Sequence, residues 1–184
     1  MNKRKTIVVN LKKTLIGLFV IIVLALFFLQ ISFRLNLQPS PELNGSTPIF
    51  EQKENYMFEF EILRYHSRVN VTPITNTSIQ DVGINADRTN LHMGRIPRGS
   101  SSVKRLNLTN NQEEPYKIRF FVFGNVSELI RLNKSLVINP GENIEYPIIA
   151  ETNDQTPLGM YYGEVDVVIV KPKNNLAKSL QWMI

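Results

Sequence analysis

Apolar residues run unbroken through one part of this 184-residue chain and alternate with polar ones through another. From Thr14 to Phe33 (TLIGLFVIIVLALFFLQISF) twenty residues pass without a charged side chain. As a helix they rise roughly 30 Å, the hydrocarbon thickness of a bilayer. Lipid offers the backbone no hydrogen-bond partner, so helix is the only conformation open to a single segment there. A cleaved leader would be shorter and would end in small residues, but here bulky Leu, Phe and Ile occupy the cleavage position. The pattern therefore predicts an uncleaved transmembrane helix over 14–33.

The period then changes. Residues 34–55 hold Pro39, Pro41 and Pro48 among Ser, Asn, Gly and Thr with no apolar repeat, the composition of a stalk. From Tyr56 to Leu63, Phe58, Phe60 and Ile62 alternate with Glu59 and Glu61, as in a half-buried strand. Further strands are predicted over 69–74, 79–84, 103–109, 117–123, 144–150 and 161–170. Between them stand turn signals: Pro97 with Gly99, Asn110 with Asn111, Gly124 with Asn125, Pro140 with Gly141, and Pro157 with Gly159. Pro140 presets φ and Gly141 tolerates its positive value, so 139–142 reads as a type II turn. Residues 126–132 fit either one helical turn or a short edge strand. Frequent short strands predict an all-β antiparallel sandwich of about seven strands behind the N-terminal helix. Tyr161, Gly163, Val165, Val167 and Ile169 should face its core. Tyr162, Glu164, Asp166, Val168 and Val170 form the other face, covered at its far end. Tyr161 suits a tyrosine corner, its hydroxyl bonding back to nearby backbone.

The motifs 93–102 (MGRIPRGSSS), 106–110 (LNLTN), 140–142 (PGE) and 157–163 (PLGMYYG) resemble the turns and closing strand of immunoglobulin-like sandwich domains of archaeal-type and bacterial surface proteins, distantly similar to PapD and major-sperm-protein sandwiches. The resemblance covers about 91–170 and implies architecture together with a binding, spacer or assembly role. It transfers no catalytic residues. Residues 173–184 fall outside the pattern, and Leu176, Leu180, Trp182 and Met183 there suit a short amphipathic turn, an added strand or a partner contact.

Charge sharpens the topology. The formal net charge is +5, and Lys3, Arg4, Lys5, Lys12 and Lys13 ahead of the span account for all of it. Such asymmetry places residues 1–13 in the cytoplasm and the chain after the span outside. The basic excess is thus a membrane signal, and nucleic acid is not an expected partner. The chain has no cysteine, which removes thiol chemistry and thiolate zinc sites and leaves the outer domain to be held by its core.

Six N-x-S/T sequons, at Asn44, Asn70, Asn76, Asn107, Asn125 and Asn133, all follow the span, where glycosylation is possible in a surface-exposed chain. Arg88, Arg95, Arg98, Lys104 and Arg105 lie in a stretch without acids. They form either a patch for an anionic partner or charges that blunt an exposed edge. His66 and His92 lack metal-ligand spacing. Ser100, Ser101 and Ser102 have no nucleophile elbow. The carboxylate pairs Glu59/Glu61 and Glu164/Asp166 read as solvated strand faces rather than an acid–base couple or a calcium site. No cofactor is expected, and the chain is not expected to be an enzyme. The sequence points to a single-pass cell-membrane protein with a non-enzymatic extracytoplasmic binding or structural module and a protein partner in the envelope. The alternatives are an accessory subunit of a secretion, pilus or transport complex and a carboxylate-based hydrolase.

Overall fold

The computed structural model describes residues 11–32, 37–40, 48–74 and 90–181. The chain divides into two compact units, one ending at Leu37 and the other beginning at Gln38. In the first, α1 spans Leu11–Ser32, 22 residues. Its described side chains, Thr14 to Ala25, are all exposed, including Leu15, Ile16, Phe19 and Ile21. Among the described residues no helix is long and apolar enough to cross a membrane.

The second unit is built of nine described strands: β1 (Ile49–Glu54), β2 (Phe58–Thr72), β3 (Leu91–Pro97), β4 (Ser101–Thr109), β5 (Tyr116–Gly124), β6 (Ile130–Arg131), β7 (Ser135–Ile138), β8 (Asn143–Glu151) and β9 (Gly159–Pro172). A short helix, α2 (Asn175–Leu180), follows. One six-stranded sheet runs β1-β2-β9-β5-β7, with β3 beside β2, and a three-stranded sheet runs β4-β8-β6. All pairings are antiparallel except β2 with β3.

Both sheets feed one apolar core. Val69, Ile118, Phe120, Val165 and Val167 come from the larger sheet, and Tyr146, Ile148 and Ala150 from the smaller. The Phe120 and Tyr146 rings stack at 4.2 Å between centroids, tying β5 to β8 through an aromatic contact. Tyr161 is buried and donates its hydroxyl to the Pro157 carbonyl at 3.0 Å, the local bond expected of it. Gly141 has φ 73° and Glu142 N–H reaches the Asn139 carbonyl at 3.0 Å, as the type II reading requires. Gly124 and Gly163 face each other across β5 and β9. A Cβ on either would run into the backbone of the opposite strand, so these glycines set how closely the two strands approach.

Several boundaries differ from expectation. The segment 34–55 contains β1, paired along Ile49–Glu54 with β2, so that part of the expected stalk is sheet. Its alternation of half-buried and exposed residues is too short and too polar to stand out from a linker. The strands expected at 56–63 and 69–74 are one 15-residue strand, β2, because Arg64 and His66 occupy positions where the apolar alternation lapses. Residues 126–132 hold both alternatives in turn, a 3-10 helix at Asn125–Glu128 and then β6. The strand expected at 79–84 lies outside the described residues, as does Phe33.

Candidate functional site: a buried charge cluster

The register of the larger sheet gathers a charge cluster on the face turned away from the shared core. β2 pairs with β9 so that Arg64 lies opposite Asp166 and His66 opposite Glu164. On the other side, β1 places Glu51 opposite Ile62, a diagonal neighbour of Arg64. Cross-strand partners share a face, so four charged side chains meet there. Arg64 is 4 % exposed, Glu164 1 % and Asp166 0 %. The expectation of a solvated face for Glu164 and Asp166 is thus overturned. Period-two alternation assigns faces but cannot tell which of them another segment covers.

Arg64 organises the cluster. Its Nη1 donates to Glu164 Oε1 at 3.1 Å and lies 3.5 Å from Asp166 Oδ2. Its Nη2 donates to Glu51 Oε2 at 2.9 Å. Gln38–Ser40 lies across the cluster: Arg64 Nη1 also donates to the Gln38 carbonyl at 2.8 Å. The Ser40 backbone N–H donates to both Glu164 oxygens, at 3.0 and 3.2 Å. Among the described residues no donor reaches either Asp166 oxygen in hydrogen-bond geometry.

That geometry sets the protonation states. Burial and the adjacent charge of Glu164 push Asp166 up to about 7, against the pull of Arg64. Two neighbouring carboxylates facing one guanidinium resist ionising together. Glu51, nearer the surface, is lowered, chiefly by its hydrogen bond to Lys53 and then by Arg64, with burial opposing. Burial and the charge of Arg68 lower His66, which packs edge-to-face on His92 with ring centroids 5.1 Å apart. Beside the cluster opens a cavity of about 330 Å³ lined by Pro39, Ser40, His66, Phe123, Tyr162 and Glu164.

Glu59 and Glu61 are not part of this site. They lie on the opposite face of β2, and Glu61 accepts from Lys171 at 2.6 Å. Among the described residues, several of the basic side chains expected as a patch or as edge charges have partners of their own. Arg98 donates to the Thr156 carbonyl at 2.6 Å, Lys104 donates to the Asn90 carbonyl, and Arg105 faces Glu145 at 3.9 Å. Lys104 and Arg105 are successive on β4 and so point to opposite faces. Arg95 is exposed on β3, and Arg88 lies outside the described residues. Of the sequons, Asn107 and Asn133 are exposed and Asn70 is half-buried on β2. Asn125 is exposed but accepts the Tyr162 N–H at 2.7 Å, while Asn44 and Asn76 lie outside the described residues. Sequence reasoning missed Arg64 and Glu51 altogether. The one available signal was a lone arginine in the otherwise apolar-facing series Phe58, Phe60, Ile62, two residues past its last member.

Comparison with known protein families, with curated proteins and with solved structures finds no match to this chain.

Proposed function

We propose that this chain is a single-pass, membrane-anchored interaction module of the cell envelope, with the N-terminus cytoplasmic and the β unit outside. The observation that carries this reading is α1. Its 22 residues rise roughly 33 Å, and the exposed side chains of Leu15, Ile16, Leu18, Phe19, Val20 and Ile21 cover more than a full turn. A helix apolar all round needs an apolar environment on every side. The described side chains end at Ala25, but the uncharged sequence continues to Phe33. Basic residues precede the run and Arg34 alone follows closely, the bias that orients single spans.

The β unit is read as an immunoglobulin-like sandwich. Two sheets sharing one core and the Tyr161 corner support that reading. Its role is to bind a protein partner, and the sequons at Asn107 and Asn133 are exposed for modification. Alkaline extraction of isolated membranes tests the anchor: the chain should stay with the bilayer, and release into the soluble fraction would overturn it. Protease added outside intact cells should digest the β unit, whereas protection there would reverse the topology.

A further inference from the structure

The contacts of Gln38–Ser40 have the form of peptide-backbone recognition. Arg64 donates to the carbonyl of Gln38, and Glu164 accepts from the N–H of Ser40 two residues on. In an extended chain these two groups point to the same side, so one ion pair reads both backbone groups. The sequence Gln38-Pro39-Ser40-Pro41 is suited to this. Each proline steers the residue before it into extended backbone, and extended proline-rich segments dock with little loss of conformational freedom.

The cost of the clamp points the same way. Desolvating a guanidinium and a carboxylate is expensive, and apolar residues of similar volume often serve stability as well or better. A pair this buried that spends its spare hydrogen-bonding capacity on backbone provides selectivity for an extended chain. Alongside it, Phe123, Tyr162 and His66 wall a cavity that Pro39 and Ser40 also line, the combination of apolar wall and few polar groups found in ligand sites.

We propose that Arg64 and Glu164 form a binding clamp for an extended, proline-containing peptide, filled in this structure by the chain's own Gln38–Ser40. The occupying segment is covalently attached, so it competes at an effective concentration in the millimolar range. A partner peptide gains the clamp when that segment leaves. Such a clamp presupposes the interaction role proposed above, but it stands or falls separately from the membrane anchor.

The test uses the full chain in detergent micelles and a capped peptide of its own sequence from Asn36 to Glu42. Ser40→Pro removes the N–H that Glu164 accepts and frees the clamp. Titration followed by amide chemical shifts of β9 should show the peptide binding Ser40→Pro about tenfold or more tighter than the parent chain, the advantage of removing a tethered competitor. Adding Glu164→Gln to Ser40→Pro should abolish the gain. In the parent chain the Ser40 amide should exchange slowly with solvent, and Glu164→Gln should speed it while the β9 amides stay protected, which shows that the fold persists. Equal affinity for the parent chain and Ser40→Pro, binding that survives Glu164→Gln, or an unprotected Ser40 amide in the parent chain would each overturn the clamp. Any of these with the chain still retained in membranes would leave the anchor reading in place.

Discussion

The two faces of β9 are buried by opposite means. Toward the shared core, Val165 and Val167 join Ile118, Phe120 and Ile148 in an apolar cluster. One residue away on the other face, Glu164 and Asp166 are buried just as fully but meet Arg64, Glu51 and the backbone of Gln38–Ser40. Apolar contacts are non-directional and degrade gradually when atoms are removed. Buried charges depend on one another, and removal of a single partner strands the rest. The same strand therefore has one tolerant face and one intolerant face.

The largest test of that contrast is Arg64→Met. Among the described residues it removes the only cation within the buried part of the cluster and the charge partner of Glu164 and Asp166. The expected loss is about 3–5 kcal/mol of unfolding free energy, read by chemical denaturation of the full chain in detergent. A loss below about 1 kcal/mol, the range of surface ion pairs, would show that water reaches the cluster and that the two faces do not differ.

Asp166→Asn asks whether the charged face alone carries a pH dependence. Asp166 is held at about 7 against an ordinary 3.8, so the folded chain binds a proton that the unfolded chain has released between those values. Stability from this group is therefore fully present below about pH 3.8 and is lost as pH rises from there through 7. At roughly 1.4 kcal/mol per pKa unit the ceiling is about 4 kcal/mol. His66, whose value is lowered, works the other way, losing stability as pH falls below 6.5. Subtracting the Asp166→Asn denaturation curve from the parent curve cancels His66 and isolates Asp166. The variant should be about 2–3 kcal/mol more stable relative to the parent at pH 8 than at pH 5. A difference that stays flat between those values would refute the raised Asp166.

On the apolar face, Ile148→Val deletes one buried methylene, and the expected cost is about 1 kcal/mol. Nothing titratable changes, so the loss should be the same at pH 5 and pH 8. If it varies with pH by as much as the Asp166→Asn difference, the two faces are energetically coupled and the contrast dissolves.

The sequence shows the apolar face clearly and the charged face hardly at all. Val165, Val167, Ile118 and Tyr161 sit in alternating runs, and alternation is a local signal. The Pro140-Gly141 turn is equally local, since both residues carry their dihedral preferences with them. The cluster is different: Arg64 meets Glu164 across 100 residues of chain, and it is covered by a segment that reads as stalk. Nothing near Glu164 and Asp166 in the sequence announces the backbone of Ser40. Acidic residues at alternate positions suggest water, and only the tertiary structure replaces that water with Arg64. The edge strands β1 and β7 were obscure for a related reason. They owe their strand state to one neighbour each, β2 and β5, more than to their own composition.

The smallest effect tests how far a directional bond on the apolar face behaves like those in the cluster. Tyr161 packs its ring inward and sends its hydroxyl to the Pro157 carbonyl at 3.0 Å. Tyr161→Phe keeps the ring and removes only that donor. Pro157 is exposed, so water can take the vacated place and no buried carbonyl is stranded. The loss should therefore be about 0.5–1 kcal/mol, the net worth of a neutral hydrogen bond. Tyr162→Phe, at the neighbouring side chain that is 50 % exposed, should change stability by less than about 0.5 kcal/mol. A Tyr161→Phe loss of about 3 kcal/mol would mean that its hydroxyl, like Arg64, holds together groups that cannot be solvated without it, and the tolerant face would then contain an intolerant corner of its own.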